Sequence, residues 1–204
     1  MALLTFDRIK SVGEKQYGAR MAANSARAIL AEDTKSFRRN QNFDVFLSHS
    51  YADAKLNYTN LLYLCGFLER YGYSVYVDWI IDKELNRSEV TGETARTLRR
   101  RMNNSKCLLF ATSKNSMNSR WMPWELGYKD GNSVDDSGEG MVGIIPIMSK
   151  SQSSYKGQEY LGIYPYITEE YDTEGKKKLW VNRSPNSYIT FDYWLKGKKP
   201  YRRT

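Results

Sequence analysis

A chain of 204 residues with 41% hydrophobic and 14% aromatic residues can bury a substantial core, which excludes global disorder and implies one domain, or one with an appendage. It has no apolar run of about 18 residues or more, and its opening residues carry no signal-peptide core, so a cytoplasmic protein with no membrane partner is expected. The net charge of +8 invites nucleic acid, but the excess sits at Arg96, Arg99, Arg100 and Arg101 and in the last ten residues, outside any aromatic-interleaved module, which weighs against that partner.

Residues 1–41 read as a helical N-terminal extension, separate from a main domain over residues 42–196. Ala19, Ala22, Ala23, Ala26, Ile29 and Leu30 fall at helical spacing and predict a narrow apolar stripe for close packing on a helix or a second subunit. Residues 43–47 form an apolar run broken by Ser48-His49-Ser50, the pattern of a buried strand ending in a polar loop. A helix carrying Leu61, Leu64, Cys65 and Leu68 comes next, with Gly72 as its stop. Residues 73–78 are a second strand, and a polar loop from Trp79 to about Thr91 contains Asp82.

Thr91 with Thr94 caps a helix marked by Ala95, Leu98 and Met102, and residues 107–111 are a third strand with Thr112-Ser113 as its exit. The stretch Trp121-Met122-Pro123-Trp124-Glu125 opens the next helix, with Pro123 in its first turn and Trp121 and Glu125 four apart on one face. Trp124 reads as core. Residues 141–147 are a fourth strand. Beyond it the pattern weakens into a tyrosine-studded, loop-rich stretch, a short helix capped by Thr190, and a basic tail, residues 197–204, expected to be disordered.

Strands alternating with helices predict an α/β fold with a mostly parallel sheet and helices on both faces. Ligands of such sheets sit beyond the carboxyl ends of the strands, which here carry Ser48, His49, Ser50, Asp78, Trp79, Thr112 and Ser113. A single histidine argues against a metal site, and the two cysteines, Cys65 and Cys107, lie in apolar segments as buried free thiols. There is no G-x-S-x-G, G-x-G-x-x-G or G-x-x-x-x-G-K-[ST] motif, so a serine hydrolase, a Rossmann site and a P-loop are unsupported.

Three segments, in order and at compatible spacing, carry a resemblance. FDVFLSHS (residues 43–50), the loop opened by Asp78, and the W-x-x-x-E element of residues 121–125 resemble the Toll/interleukin receptor (TIR) domain, and SRWMPWELGYKDG resembles free-standing bacterial TIR proteins. The resemblance covers roughly residues 43–148 and extends more loosely to about 196. It implies a flavodoxin-like fold and, as in the enzymatic members, cleavage of the nicotinamide–ribose bond of NAD as substrate, with no metal or further cofactor. Glu125 would be the catalytic carboxylate and Trp121 would flank the ribose or nicotinamide. Ser48, His49 and Ser50 would approach the dinucleotide, while Asp78, Trp79 and Asp82 would begin a loop that closes over the site. The resemblance also implies self-association and, as in Thoeris-like phage defence, a separate effector that reads a cyclic or modified ADP-ribose signal. A non-catalytic TIR–TIR scaffold, a nucleoside or nucleotide N-glycosidase of related fold, and a basic nucleic-acid binder are the alternatives.

Overall fold

A central sheet of eight strands organises the described residues, in the order β2-β1-β3-β4-β5-β6-β7-β8. The structure, a computed structural model, describes residues 3–35, 41–50, 57–77, 91–113, 115–136, 138–148 and 159–202. The strands are β1 (Phe43–Ser48), β2 (Val75–Tyr76), β3 (Ser105–Ala111), β4 (Val142–Ile145), β5 (Tyr166–Tyr171), β6 (Lys177–Ser184), β7 (Ser187–Thr190) and β8 (Tyr201–Arg202). The first five are mutually parallel, and β6, β7 and β8 continue the sheet antiparallel.

Parallel strands covered on both faces must be apolar on both, and β1 and β3 meet that demand. Val45 pairs with Val75 and Cys107, and Phe46 with Tyr76 and Leu108, so β1 lies between two neighbours. Val45, Leu47, Leu109 and Ile145 face a core built with α1 (Phe6–Ala23), α2 (Ala26–Lys35) and α3 (Tyr58–Glu69). Phe46, Leu108, Phe110 and Ile144 face the opposite core, built with α4 (Gly92–Asn103) and α5 (Trp121–Ser133). A single turn, α6 (Phe191–Trp194), sends Trp194 into the first core. Helix starts obey the local chemistry: side chains of Thr5, Asn57 and Thr91 accept the N–H groups of Arg8, Thr59 and Thr94. Gly72, at φ 87°, reverses the chain after α3 into β2.

Three expectations require correction. The alanine stripe is interrupted, because the helix ends at Asn24, whose backbone is extended, and Ser25 Oγ accepts the Ala28 N–H to start α2. Asn and Ser offer the backbone a competing hydrogen bond, which is why they punctuate helices. Ala19, Ala22 and Ala23 are exposed, and the buried face of α1 is Ile9, Val12, Gly13 and Tyr17. That face lies directly on α3, so closely that a Cβ on Gly13 would stand 2.5 Å from Tyr63 Cα. Leu3 bridges Thr168 and Thr5 bridges Met148, so the N-terminal segment is stitched to the sheet rather than standing apart.

The second correction concerns the loop-rich stretch, which forms the antiparallel half of the sheet. One face of these strands carries Ile167, Leu179, Val181 and Ile189 into the first core, the other buries Tyr166, Thr168 and Asn182, and the charged residues Glu169, Glu170, Lys177 and Lys178 gather where the far ends of β5 and β6 pair. The third is the basic tail: Tyr201 and Arg202 pair with Tyr188 and Ser187 instead of fraying.

A carboxylate ties these parts together. Glu169 of β5 receives Arg8 Nε and Nη2 at 2.7 Å each, Lys177 Nζ at 3.2 Å, and the Tyr71 hydroxyl. Burial pushes this carboxyl up, but the bonds from Arg8, Tyr71 and Lys177 outweigh it and hold the group below its ordinary value. No helix among the described residues is long and apolar enough to cross a membrane.

Candidate functional site

The parity of β1 decides where its polar exit points. Successive side chains of a strand alternate between faces, so Ser48 turns toward α5 and its neighbour His49 toward α1 and α3. Ser48 is fully buried, and its hydroxyl donates to Glu125 Oε2 at 2.6 Å. Glu125 has no exposed surface, so a carboxylate lies inside the protein at the carboxyl end of β1. Placing an ion there is costly unless donors surround it.

Helix α5 presents Glu125 through its register. Trp121, Glu125 and Lys129 recur at four-residue intervals and are all buried, at 9%, 0% and 5% exposure. Lys129 Nζ donates to the carbonyls of Met102 at 3.0 Å and Ser105 at 2.6 Å. Burial pushes this ammonium below its ordinary value, partly offset by the nearby Cys107. The entrance to α5 is braced by Ser113 and Ser116: Ser116 Oγ accepts the Ser113 N–H and donates to the Ser113 carbonyl, and Ser113 Oγ accepts the Asn115 and Ser116 N–H groups. Ser119 Oγ then accepts the Met122 N–H in the first turn.

Trp124 is half-buried and packs against the edge of the second core. It meets Trp121 edge-on at 5.4 Å and stacks on Tyr128 at 5.8 Å, with the Arg99 guanidinium 5.5 Å from its ring centre. This cluster lies on the α4–α5 surface.

On the other face, His49 and Ser50 line a cavity of about 360 Å³ with Thr112, Ser113 and Ile147 at the exits of β3 and β4. Asn57 and Asn60 at the start of α3 close one wall, and Phe6, Ile9 and Leu61 supply apolar surface. His49 Nδ1 stands 3.2 Å from the Leu47 carbonyl, which can only accept, so that nitrogen carries the proton in this bond. Larger grooves of about 510 and 570 Å³ occur on the antiparallel edge and beside Arg70, away from Glu125.

Of the residues expected at the site, the structure joins Ser48, Trp121 and Glu125 on one side of the strand ends and His49 and Ser50 on the other. Asp78, Trp79 and Asp82 lie outside the described residues. Sequence reasoning missed Asn57 and Asn60, which sit at the start of α3, and Lys129, which looks like any solvated helix lysine. The spacing of Lys129 from Glu125 was the available signal.

A family model described as TIR domain matches residues 45–179. The chain belongs to the TIR domain family. Its sheet is the flavodoxin-like arrangement of that family, with an antiparallel extension. This TIR protein is 44% identical over 173 residues, 84% of each chain, to a protein of Bacillus cereus (strain MSX-D12) named "Probable 3′ cyclic ADP-D-ribose synthase ThsB′". It is 32% identical over 87 residues, 42% of this chain and 22% of the other, to a protein of Cytobacillus dafuensis that carries the provisional name cyclic ADP-D-ribose synthase TIR2.

Proposed function

We propose that this TIR protein cleaves the nicotinamide–ribose bond of NAD and closes the remaining ADP-ribose into a cyclic product. The observation that carries the reading is the Glu125 carboxylate, buried at the carboxyl end of the parallel sheet and held by Ser48. The names of the two relatives support the cyclic product.

Nicotinamide departs with the bonding electron pair as a neutral pyridine, so no general acid is needed. Positive charge then develops on the ribose, where a carboxylate in low dielectric stabilises it far better than one in water. A hydroxyl or ring nitrogen of the same molecule forms the new bond to the anomeric carbon; where a proton is displaced, it leaves to Glu125 or solvent. Capture by water instead yields linear ADP-ribose. The cavity beside His49 and Ser50 offers polar groups and the N-terminal end of α3 for the diphosphate. Because Glu125 is covered in this structure, a rearrangement that uncovers it precedes chemistry, which fits control by self-association. The reading also includes a cytoplasmic enzyme whose product is read by a separate effector.

Burial of Glu125 is equally the observation that favours a scaffold, in which Ser48 and Glu125 are only a structural pair. The deciding experiment is NAD turnover by the purified protein and by Glu125→Gln, with all products resolved by mass. Nicotinamide release by the wild type, reduced about 10²–10³-fold in the variant, is expected. No NAD loss by concentrated wild-type protein favours the scaffold.

A further inference from the structure

Lys129 is an ammonium in the interior whose bonded partners are two neutral carbonyls, Met102 in the last turn of α4 and Ser105 at the start of β3. It makes no ion pair with a carboxylate among the described residues. Stability does not explain such a group, since a methionine of similar volume fills the space without the desolvation cost. Geometry does. Ser105 pairs with Phe43 at the start of β1, and Ser48 at the end of β1 holds Glu125. Helix α5 is therefore pinned at two points one turn apart, by Glu125 to β1 and by Lys129 to the junction of α4 and β3.

We propose that Lys129 is a positioning residue for Glu125, its double bond to Met102 and Ser105 setting the rotation of α5 about its axis. This rests on the reading of Glu125 as the catalytic carboxylate. A carboxylate carried roughly 6 Å from a helix axis moves by about 1 Å for a rotation of roughly 10°. A misplacement of about 1 Å at a reacting centre can cost on the order of 10²-fold in rate. Without the tether, the bond from Ser48 is left alone to resist rotation of α5, which carries the carboxylate out of its reach.

The test compares the full-length wild type with Lys129→Met, which keeps the volume and removes the donors, and Lys129→Arg, which keeps donors for both carbonyls. The Met variant is expected to melt within a few degrees of the wild type, with KM for NAD within about threefold and kcat lower by about 10–100-fold. The Arg variant is expected at least about threefold above the Met variant in kcat. A folded Met variant with wild-type kcat overturns the proposal, as does a lower melting temperature with unchanged kcat, the mark of a merely structural lysine. An Arg variant no better than Met also overturns it. Should Lys129→Met fail to fold, Lys129→Leu, which also lacks donors, takes its place under the same criteria. If the wild type releases no nicotinamide, the proposed function fails. The positioning claim is then read from crystal structures: a Ser48–Glu125 bond kept in the wild type and lost in Lys129→Met supports it, and one kept in both overturns it.

Discussion

Ser48→Ala removes one hydroxyl from the centre of the site, and the geometry sets the size of the effect. The hydroxyl donates at 2.6 Å to a carboxylate with no exposed surface, a charge-assisted bond in the interior. Bonds of this kind contribute about 1.5–3 kcal/mol, and removing one partner leaves the carboxylate short of a donor. For a domain of this length each kcal/mol corresponds to roughly 2–4 °C of melting temperature, so a drop of about 3–12 °C is expected. If the same bond aims Glu125 at the ribose, kcat/KM for NAD falls by about 10–150-fold, at about 1.4 kcal/mol per factor of ten. Glu125→Gln is the natural counterpart, because its amide oxygen still accepts from Ser48 while the negative charge is gone. It should lose activity and keep most of its stability. Urea unfolding and steady-state NAD cleavage on both variants supply the comparison. Wild-type kcat/KM in Ser48→Ala, with its midpoint unchanged, would refute the argument that this bond holds the carboxylate.

Gly13→Ala places a methyl 2.5 Å from Tyr63 Cα, a contact with backbone that cannot swing away, and should lower stability by about 1–3 kcal/mol in urea titrations. Glu169 is held below its ordinary value of 4.5, so its contribution is complete above that pH and is lost as pH falls through the lower folded value; Glu169→Gln should flatten that acid limb in melting temperature against pH. Cys65 and Cys107 are both buried, and burial pushes the Cys107 thiol far up, so a thiol reagent should label neither in the native protein and both after unfolding.

The parallel half of the fold was legible because burial on both faces leaves little choice of residue: β1 and β3 are nearly continuous apolar runs, and no charged side chain interrupts their centres. The antiparallel half was not. A strand such as β6, with Leu179 and Val181 inward and Lys177, Lys178 and Arg183 elsewhere, carries too few apolar positions to stand out from a polar loop. The candidate site divided the same way. Trp121 and Glu125 declared themselves by spacing, and Ser48 by the break it makes in an apolar run. Asn57 and Asn60 depend on how α3 is laid on the sheet, which local patterning does not encode, and the spacing of Lys129 from Glu125 marks a shared helix face without marking its burial. The N-terminal helix illustrates a further limit, since helical spacing continued through Asn24-Ser25 while the backbone did not.

The stitching of the first residues onto β5 has a consequence for how the molecule is made. Arg8 and Glu169 are separated by 161 positions, and Leu3 meets Thr168 beside them. At about 5–20 residues per second, a ribosome needs roughly 8–30 s between adding one member of that ion pair and the other. Once α3 has been made, α1 has it to rest on but still no β5 to lock against. The seal between the chain's beginning and its last third therefore closes late, after Ser48 of β1 and Glu125 of α5 have been synthesised. A nascent chain thus carries every residue of the proposed chemistry before it carries the clasp that completes its body.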